Sequence, residues 1–439
     1  MSKFRYSIIL VIASVYLQPI NLVAQNIQNT IDSIQVEIEK IRGAKFKHSV
    51  KVANQSLEDF GKYLDKMLDK QFSENMDKNY GKVVRKLGLY RGPEIKDFKS
   101  LAKTVMQSQA AAYYDPAANT FYVVMQDLPK SMLGSIYAHE LYHGFQDQYH
   151  NLDEYLLSPG QGRLNDDEVL ARQAVVEGEA TYLMMLWTLK TQFGSIPGPG
   201  MLDMAIKMQA KLDVKTMLQM LKSSVVPLAQ SGNIEKAIKA MDDIPPFMIE
   251  TMVGTYLKGM GFVFEIQKQG WEKVSELYKN PPVSSEQILH PEKWLENEFP
   301  VKFEWPSFAQ KLFSDWNLLE SNTVGEIQWR IIFSEHGMGE AGLTAAEGWN
   351  GDSFAVFEHK KNSELLLLIC SSWDTEKEAK EFKAAYEKLL VVKYPEGNET
   401  IKIQSNATDV LIIEGGSKNN VENLLEFMRQ AKKTKNGSP

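Results

Sequence analysis

Cysteine is nearly absent from this sequence: Cys370 is the only one among 439 residues. That excludes a disulfide scaffold and any thiolate-rich zinc or iron–sulfur site. Cys370 closes the apolar run 365–370, which reads as a buried strand, so its thiol is structural rather than catalytic. A strongly basic block is missing too. Lys and Arg total 49 against 56 Asp and Glu, a net charge of −7, which argues against a nucleic-acid partner. Histidine is scarce, with seven in the chain. No repeat of roughly 20 to 50 residues is found. What the chain does have is apolar material, 44% hydrophobic and 10% aromatic. That suffices for two to three compact units with real cores and rules out disorder as the main state.

Lys3 and Arg5 precede an apolar run over 8–17, and Leu22-Val23-Ala24 follows a short polar stretch. This is the layout of a secretory signal, 1–24, with cleavage after Ala24. Gln18, Pro19 and Asn21 interrupt the run and leave it well below the roughly 20 apolar residues of a spanning helix. No cysteine follows to accept a lipid. The expected product is secreted or periplasmic, with no stable membrane insertion after signal cleavage.

Ile31, Ile34, Ile38 and Ile41 then recur at helical spacing, as do Leu57, Phe60, Leu64, Met67 and Leu68. With a short alternating strand over 46–52 between them, they form a helical leader, 25–92, punctuated by Arg91-Gly92-Pro93. The pattern suits an inhibitory propeptide and an integral part of the fold equally. A strand is predicted over 120–125, a helix over 129–149 and another over 167–190. Two Pro and three Gly break the chain over 194–200. Residues 201–278 are again helical, and their methionines read as adaptable packing. The C-terminal pattern is strands 354–357 and 365–370, helix 376–390, strands 401–404 and 410–413, and helix 421–432. This ββαββα order describes a small α+β module, 320–432, with helices packed on one sheet. Residues 432–439 read as a solvated tail.

The chemistry sits in Tyr137-Ala138-His139-Glu140-Leu141-Tyr142-His143. Four residues of helix turn through about 400°, so His139 and His143 stack one turn apart on one face. Imidazoles so placed reach one tetrahedral Zn²⁺. Glu140 flanks that position without ligating and can take a proton from an attacking water. With so few histidines, a chance H-E-x-x-H is on the order of one per cent. A catalytic zinc needs a third protein ligand and an open position. Glu177 and Glu179, in Val176-Glu177-Gly178-Glu179-Ala180, are the candidates. Two positions apart, they point about 200° apart, so only one can face the metal. The apolar stripe of their helix does not choose between them.

The pair H-E-L-Y-H and V-E-G-E-A resembles the gluzincin peptidases, whose third ligand is a glutamate on a later helix. Similarity to the Asn-Glu-Gly-Phe-Ala segment of their aminopeptidase branch implies that Glu177 is that ligand, with Gly178 letting two helices approach. Thirty-three residues separate His143 from Glu177. That is more than in the best-known relatives and implies an extra loop over 151–166. The chain also resembles a narrower group of exported bacterial proteins regarded as peptidases, of largely unassigned substrate. The matching marks are Tyr114-Asp115-Pro116, residues 139–149 with Gln146-Asp147-Gln148, Glu177-Gly178-Glu179-Ala180, 281–291, Gly348-Trp349-Asn350-Gly351-Asp352 and Trp373-Asp374-Thr375.

Peptide hydrolysis also needs a donor for the oxyanion. Gluzincins often use a His or Tyr there, which makes His290 the first candidate and Tyr256 the second; capping a turn before Pro291 is the plainer role for His290. Asp147, one turn beyond His143, is a candidate to orient an imidazole. Strand 120–124 is a candidate edge for pairing with extended substrate. His48, His150, His336 and His359 read as surface or capping groups, and Trp349 and Trp373 as packing. The expected fold is α+β: a helix-rich zincin-like domain, 93–300, with a small edge sheet, followed by the C-terminal module. The expected function is zinc-dependent hydrolysis of a peptide or protein substrate, more in the manner of an endopeptidase than an exopeptidase. Zn²⁺ would be held by His139, His143 and Glu177, with Glu140 and His290 as catalytic groups. Two other readings fit the sequence: an exported binding or assembly protein with a structural zinc helix, and a zinc amidase acting on cell-wall peptide.

Overall fold

The isoleucine spacing of the leader produces a helix, α1 (Ile27–Arg42), that buries Ile31, Ile34 and Ile38. The computed structural model describes residues 27–71, 74–109, 112–124, 130–157, 164–211, 244–397 and 400–435, so the expected signal lies outside the described residues. β1 (Lys51–Gln55), α2 (Leu57–Gln71), α3 (Glu74–Leu87) and α4 (Phe98–Gln109) follow. Next comes a hairpin of β2 (Ala112–Asp115) and β3 (Thr120–Val124), with Asn119 at φ 45° completing its turn. β3 lies in the middle of a three-stranded sheet, parallel to β1 on one side and antiparallel to β2 on the other. The strand expected to be an edge is therefore central, because the leader supplies β1 to its far side. The leader is built into the fold. Its isoleucines share one core with Ile136, Leu141 and Phe145 of the histidine helix.

That helix is α5 (Lys130–His150), followed by α6 (Leu152–Leu157) and α7 (Asp166–Phe193). The expected loop 151–166 thus holds a helical turn, and 158–163 lie outside the described residues. α7 begins on a capping box, Asn165 with Glu168, behind an acidic first turn, and stops at Gly194 with φ 75°. It is buried nearly all round, as the central helix of a large unit should be. α8 (Pro199–Lys211), α9 (Pro246–Gln267), α10 (Trp271–Glu276), α11 (Ser285–Leu289) and α12 (Pro291–Leu295) complete the helical part. Gly178 does permit close approach, but to α9. A Cβ on Gly178 would stand 2.1 Å from the Gly259 carbonyl carbon, and one on Gly259 would stand 1.9 Å from Ala174 O. The methionine reading divides. Met248 and Met260 on α9 are buried, whereas Met201, Met204 and Met208 on α8 are exposed. Residues 212–243 lie outside the described residues.

The C-terminal region begins with β4 (Val301–Glu304), β5 (Trp316–Asn322), α13 (Glu326–Glu335) and α14 (Gly339–Ala346). It continues with β6 (Trp349–His359), β7 (Leu365–Trp373), α15 (Glu376–Lys393), β8 (Ile401–Asn406), β9 (Asp409–Glu414), α16 (Val421–Arg429) and β10 (Lys432–Lys435). The predicted ββαββα order is present, with β5 added as an edge of an antiparallel sheet ordered β5-β6-β7-β9-β8. Leu367 and Ile369 face the core shared with α15, while Leu366, Leu368 and Cys370 face α16. Both faces are covered, which explains why 365–370 is apolar at every position. The expected tail is partly a strand, since β10 pairs antiparallel with β4. Taken whole, the chain is α+β, helix-rich with three small sheets among the described residues.

Candidate metal centre

α5 and α7 cross with His139, Glu140, His143 and Glu177 between them, all buried. Glu177 Oε2 lies 3.2 Å from His139 Nε2 and 3.6 Å from His143 Nε2. Two donors bound about 2.0–2.1 Å from a tetrahedral ion stand about 3.3–3.4 Å apart, so these separations suit one small ion. His143 Nε2 and Glu140 Oε1 are buried with no hydrogen-bond partner among the described residues, as is His139 Nδ1. Buried polar atoms are rarely left so. Two imidazoles and one carboxylate form the donor set of a three-ligand zinc site. The residues fit the ion.

The geometry separates the two glutamates. Glu179 turns away from the imidazoles and accepts from Tyr142 Oη at 2.6 Å, Tyr278 Oη at 2.6 Å and Gln146 Nε2 at 3.0 Å. Arg42 Nε lies 3.5 Å from Oε1, the oxygen that accepts from Tyr142. Gln146, one turn from His143, holds His143 Nδ1 through Oε1 at 2.8 Å. That is the orienting contact expected of Asp147. Asp147 instead accepts from Tyr114 Oη and from the Leu152 amide that opens α6.

Burial pushes His139 down to about 4. For His143 burial works the same way, but Glu177 and Glu140 outweigh it and lift the imidazole to about 9. Burial also opposes charge on Glu177, yet the two imidazoles hold it well below the usual carboxylate range. Glu140 is raised to about 8, mainly by burial. Without an ion, then, the cluster pairs an ionised Glu177 with a protonated His143, beside a neutral Glu140.

Glu140 Oε2 accepts the Tyr114 amide of β2 at 2.9 Å, so the edge strand that meets the site is β2 rather than β3. The Tyr256 ring on α9 stacks on that of His139, centroids 6.0 Å apart. His290 is engaged elsewhere. Its Nε2 contacts Glu326 at 3.1 Å and its Nδ1 lies 3.9 Å from Glu292. His150 stacks on Tyr278, and His336 contacts the Ile332 carbonyl. His48 meets Asn119, and His359 packs on Trp316. Trp349 and Trp373 are buried, as expected. A second carboxylate group, Glu286, Glu298 and Asp374, is already filled by Lys293 Nζ at 2.6–2.7 Å from each.

The marks without chemistry turn out to be a joint. Asp352 accepts from the Val324 and Gly325 amides and from both Trp329 and Trp349 Nε1. Ser285 donates its amide to Asp167 and accepts that of Ile327. Sequence reasoning missed Arg42, Gln146, Tyr278 and the Tyr114 amide. Only Gln146 carried a signal, its i,i+3 spacing from His143.

Comparison with known proteins gives one match, a domain family of unknown function (DUF8575) over residues 316–424. This covers β5 through the first half of α16 and leaves out the histidine–glutamate cluster. No curated protein and no solved structure matches the chain.

Proposed function

We propose that this protein is an exported zinc metallopeptidase of gluzincin type, with His139, His143 and Glu177 as ligands. One observation carries the reading: Glu177 Oε2 sits 3.2 and 3.6 Å from the two Nε2 atoms, beside an unpartnered Glu140 Oε1. Zinc would supply Lewis acidity, polarising the scissile carbonyl and making water a usable nucleophile at neutral pH. The chain supplies the rest. Tyr114 N–H fixes one oxygen of Glu140, so the other takes the proton of the attacking water and passes it to the leaving amine. Tyr114 N–H points away from β3, so this side of β2 faces Glu140, where an extended peptide can add through main-chain hydrogen bonds. Tyr256, not His290, is the side-chain donor assigned to the oxyanion. Export rests on the 1–24 pattern; no described helix is long and apolar enough to cross a membrane.

The test is metal content and cleavage together. Purified mature protein is expected to carry about one zinc per chain and to cleave members of a diverse peptide library, read by mass spectrometry. Chelation should stop cleavage and zinc should restore it. Stoichiometric zinc retained by the His139→Ala/His143→Ala double variant would rule this site out.

A further inference from the structure

Arg42, the last residue of α1, is only 7% exposed. Its Nε donates to Tyr142 Oη at 2.9 Å and its Nη2 to Ser275 Oγ at 2.8 Å. The guanidinium lies over the Trp271 ring at 4.6 Å. Such a charge is tolerated in the interior only beside a buried counter-charge. Glu179, 1% exposed and 3.5 Å away, is that counter-charge.

What Glu179 does next is decided by donors and acceptors. Its Oε2 and the Val176 carbonyl oxygen both accept from Gln146 Nε2, at 3.0 and 2.9 Å. The Val176 carbonyl can only accept, and Glu179 Oε2 is an acceptor here, from Tyr278 Oη as well. They therefore hold the NH₂ end of the Gln146 amide on their side and turn Oε1 toward His143 Nδ1. An amide oxygen cannot donate, so Nδ1 must carry the proton. His143 Nε2, 3.6 Å from Glu177 Oε2, is then the nitrogen left to face the ion position. Take Arg42 away and Glu179 loses its buried counter-charge and the Tyr142 Oη contact that Arg42 holds in place. Released, Glu179 no longer holds Gln146 Nε2, and the amide whose Oε1 meets His143 Nδ1 is steadied on that side only by the Val176 carbonyl and Tyr278 Oη.

We infer that Arg42 is a positioning residue for the metal site. Acting through Glu179 and Gln146, it holds the orientation of His143. The N-terminal segment is thereby a support of the metal site, not a detachable inhibitor. This inference rests on the zinc reading above.

The experiment measures zinc affinity of the full mature chain by chelator competition, with Co²⁺ absorption as a second readout and thermal melts as a folding control. Arg42→Met is expected to weaken zinc binding about 10-fold or more, the range for lost supporting contacts, and to alter the Co²⁺ bands. Arg42→Lys keeps the charge and should recover most of the affinity. Gln146→Met should cost as much as Arg42→Met, and the two together little more than either. A folded Arg42→Met protein within twofold of wild type would overturn the inference and leave the zinc reading intact. Should Arg42→Met not fold, Gln146→Met decides in the same way, and affinity within twofold of wild type overturns it. Wild type that binds no zinc removes the zinc reading itself, a separate result.

Discussion

Glu140→Gln is the sharpest perturbation available, because that carboxyl bears on both the stability of the fold and the proposed chemistry. One oxygen is held by Tyr114 N–H and the other has no described partner, so the amide fits the same space with its oxygen kept on Tyr114. In the metal-free fold burial raises the group from 4.5 to about 8. Below pH 4.5 it is protonated whether folded or unfolded and contributes nothing. Between 4.5 and 8 the unfolded chain releases the proton while the folded chain keeps it, so stability falls as pH rises. At pH 7, which lies 2.5 above the unfolded value of 4.5, this amounts to about 3 kcal/mol. Glutamine removes that cost. Chelator-treated Glu140→Gln should therefore resist urea better than chelator-treated wild type at pH 7, by up to about 3 kcal/mol, with the gap closing by pH 4.5. With zinc loaded, the variant should retain the metal and lose about 10²-fold or more in peptide hydrolysis. Equal cleavage by zinc-loaded wild type and variant would refute the catalytic role. Lower metal-free stability in the variant at pH 7 would refute the electrostatic argument.

Four further outcomes follow from the same geometry. Glu177→Ala should weaken zinc retention by at least about 10-fold in chelator competition. Glu179→Ala should show itself first as lost fold stability, on the order of 3–5 kcal/mol in urea, because it strands Arg42; the reverse pattern would exchange their roles. Zinc affinity should rise with pH up to about 9, since His143 must lose a proton to ligate, and calorimetry in buffers of different ionisation enthalpy should register proton release at pH 7. A flat affinity between pH 6.5 and 8.5 would contradict that. Gly178→Ala should cost about 1–3 kcal/mol or more in urea, because the added methyl meets α9 backbone that cannot swing aside; an unchanged midpoint would mean that the crossing is looser than described.

The local periodicities were readable in the sequence, and so was the chemistry that lies within one turn of helix. His139, Glu140 and His143 are a matter of i,i+1 and i,i+4 spacing. α7 and the strands of the C-terminal sheet follow from runs of one period. What could not be read is what arrives from far along the chain. Arg42 meets Tyr142 across 100 positions and Gln146 meets Tyr278 across 132. No window of sequence contains such a pair. From spacing alone the choice between Glu177 and Glu179 stayed open for a related reason, and only the resemblance favoured Glu177: both are buried and both are useful. The helix period places them on different sides, but only the neighbours reveal which side holds the histidines. β3 was misplaced as an edge because its other partner, β1, lies 69 positions earlier, in a segment that also suits a propeptide.

α7 explains why segments with no chemistry of their own accompany the residues proposed to bind metal. Its first turn is gripped from three directions. Asn322 accepts the Asp166 amide at 2.8 Å, Asp167 accepts the Ser285 amide at 3.0 Å, and Lys302 pairs with Glu168 at 2.7 Å. Ten residues on, about 15 Å along the axis, the same helix presents Glu177. One residue further on, Gly178 presses on Gly259 with no side chain to cushion the contact. A helix held at its first turn and pinned by backbone contact at Gly178 has little freedom to slide or rotate. A carboxylate that must sit between two imidazoles needs that rigidity, because an error of about 1 Å in a ligand atom is half a bond length to the ion. The C-terminal module thus bears on the metal centre mechanically, by fixing the register of α7, without supplying any of the ligating or base residues.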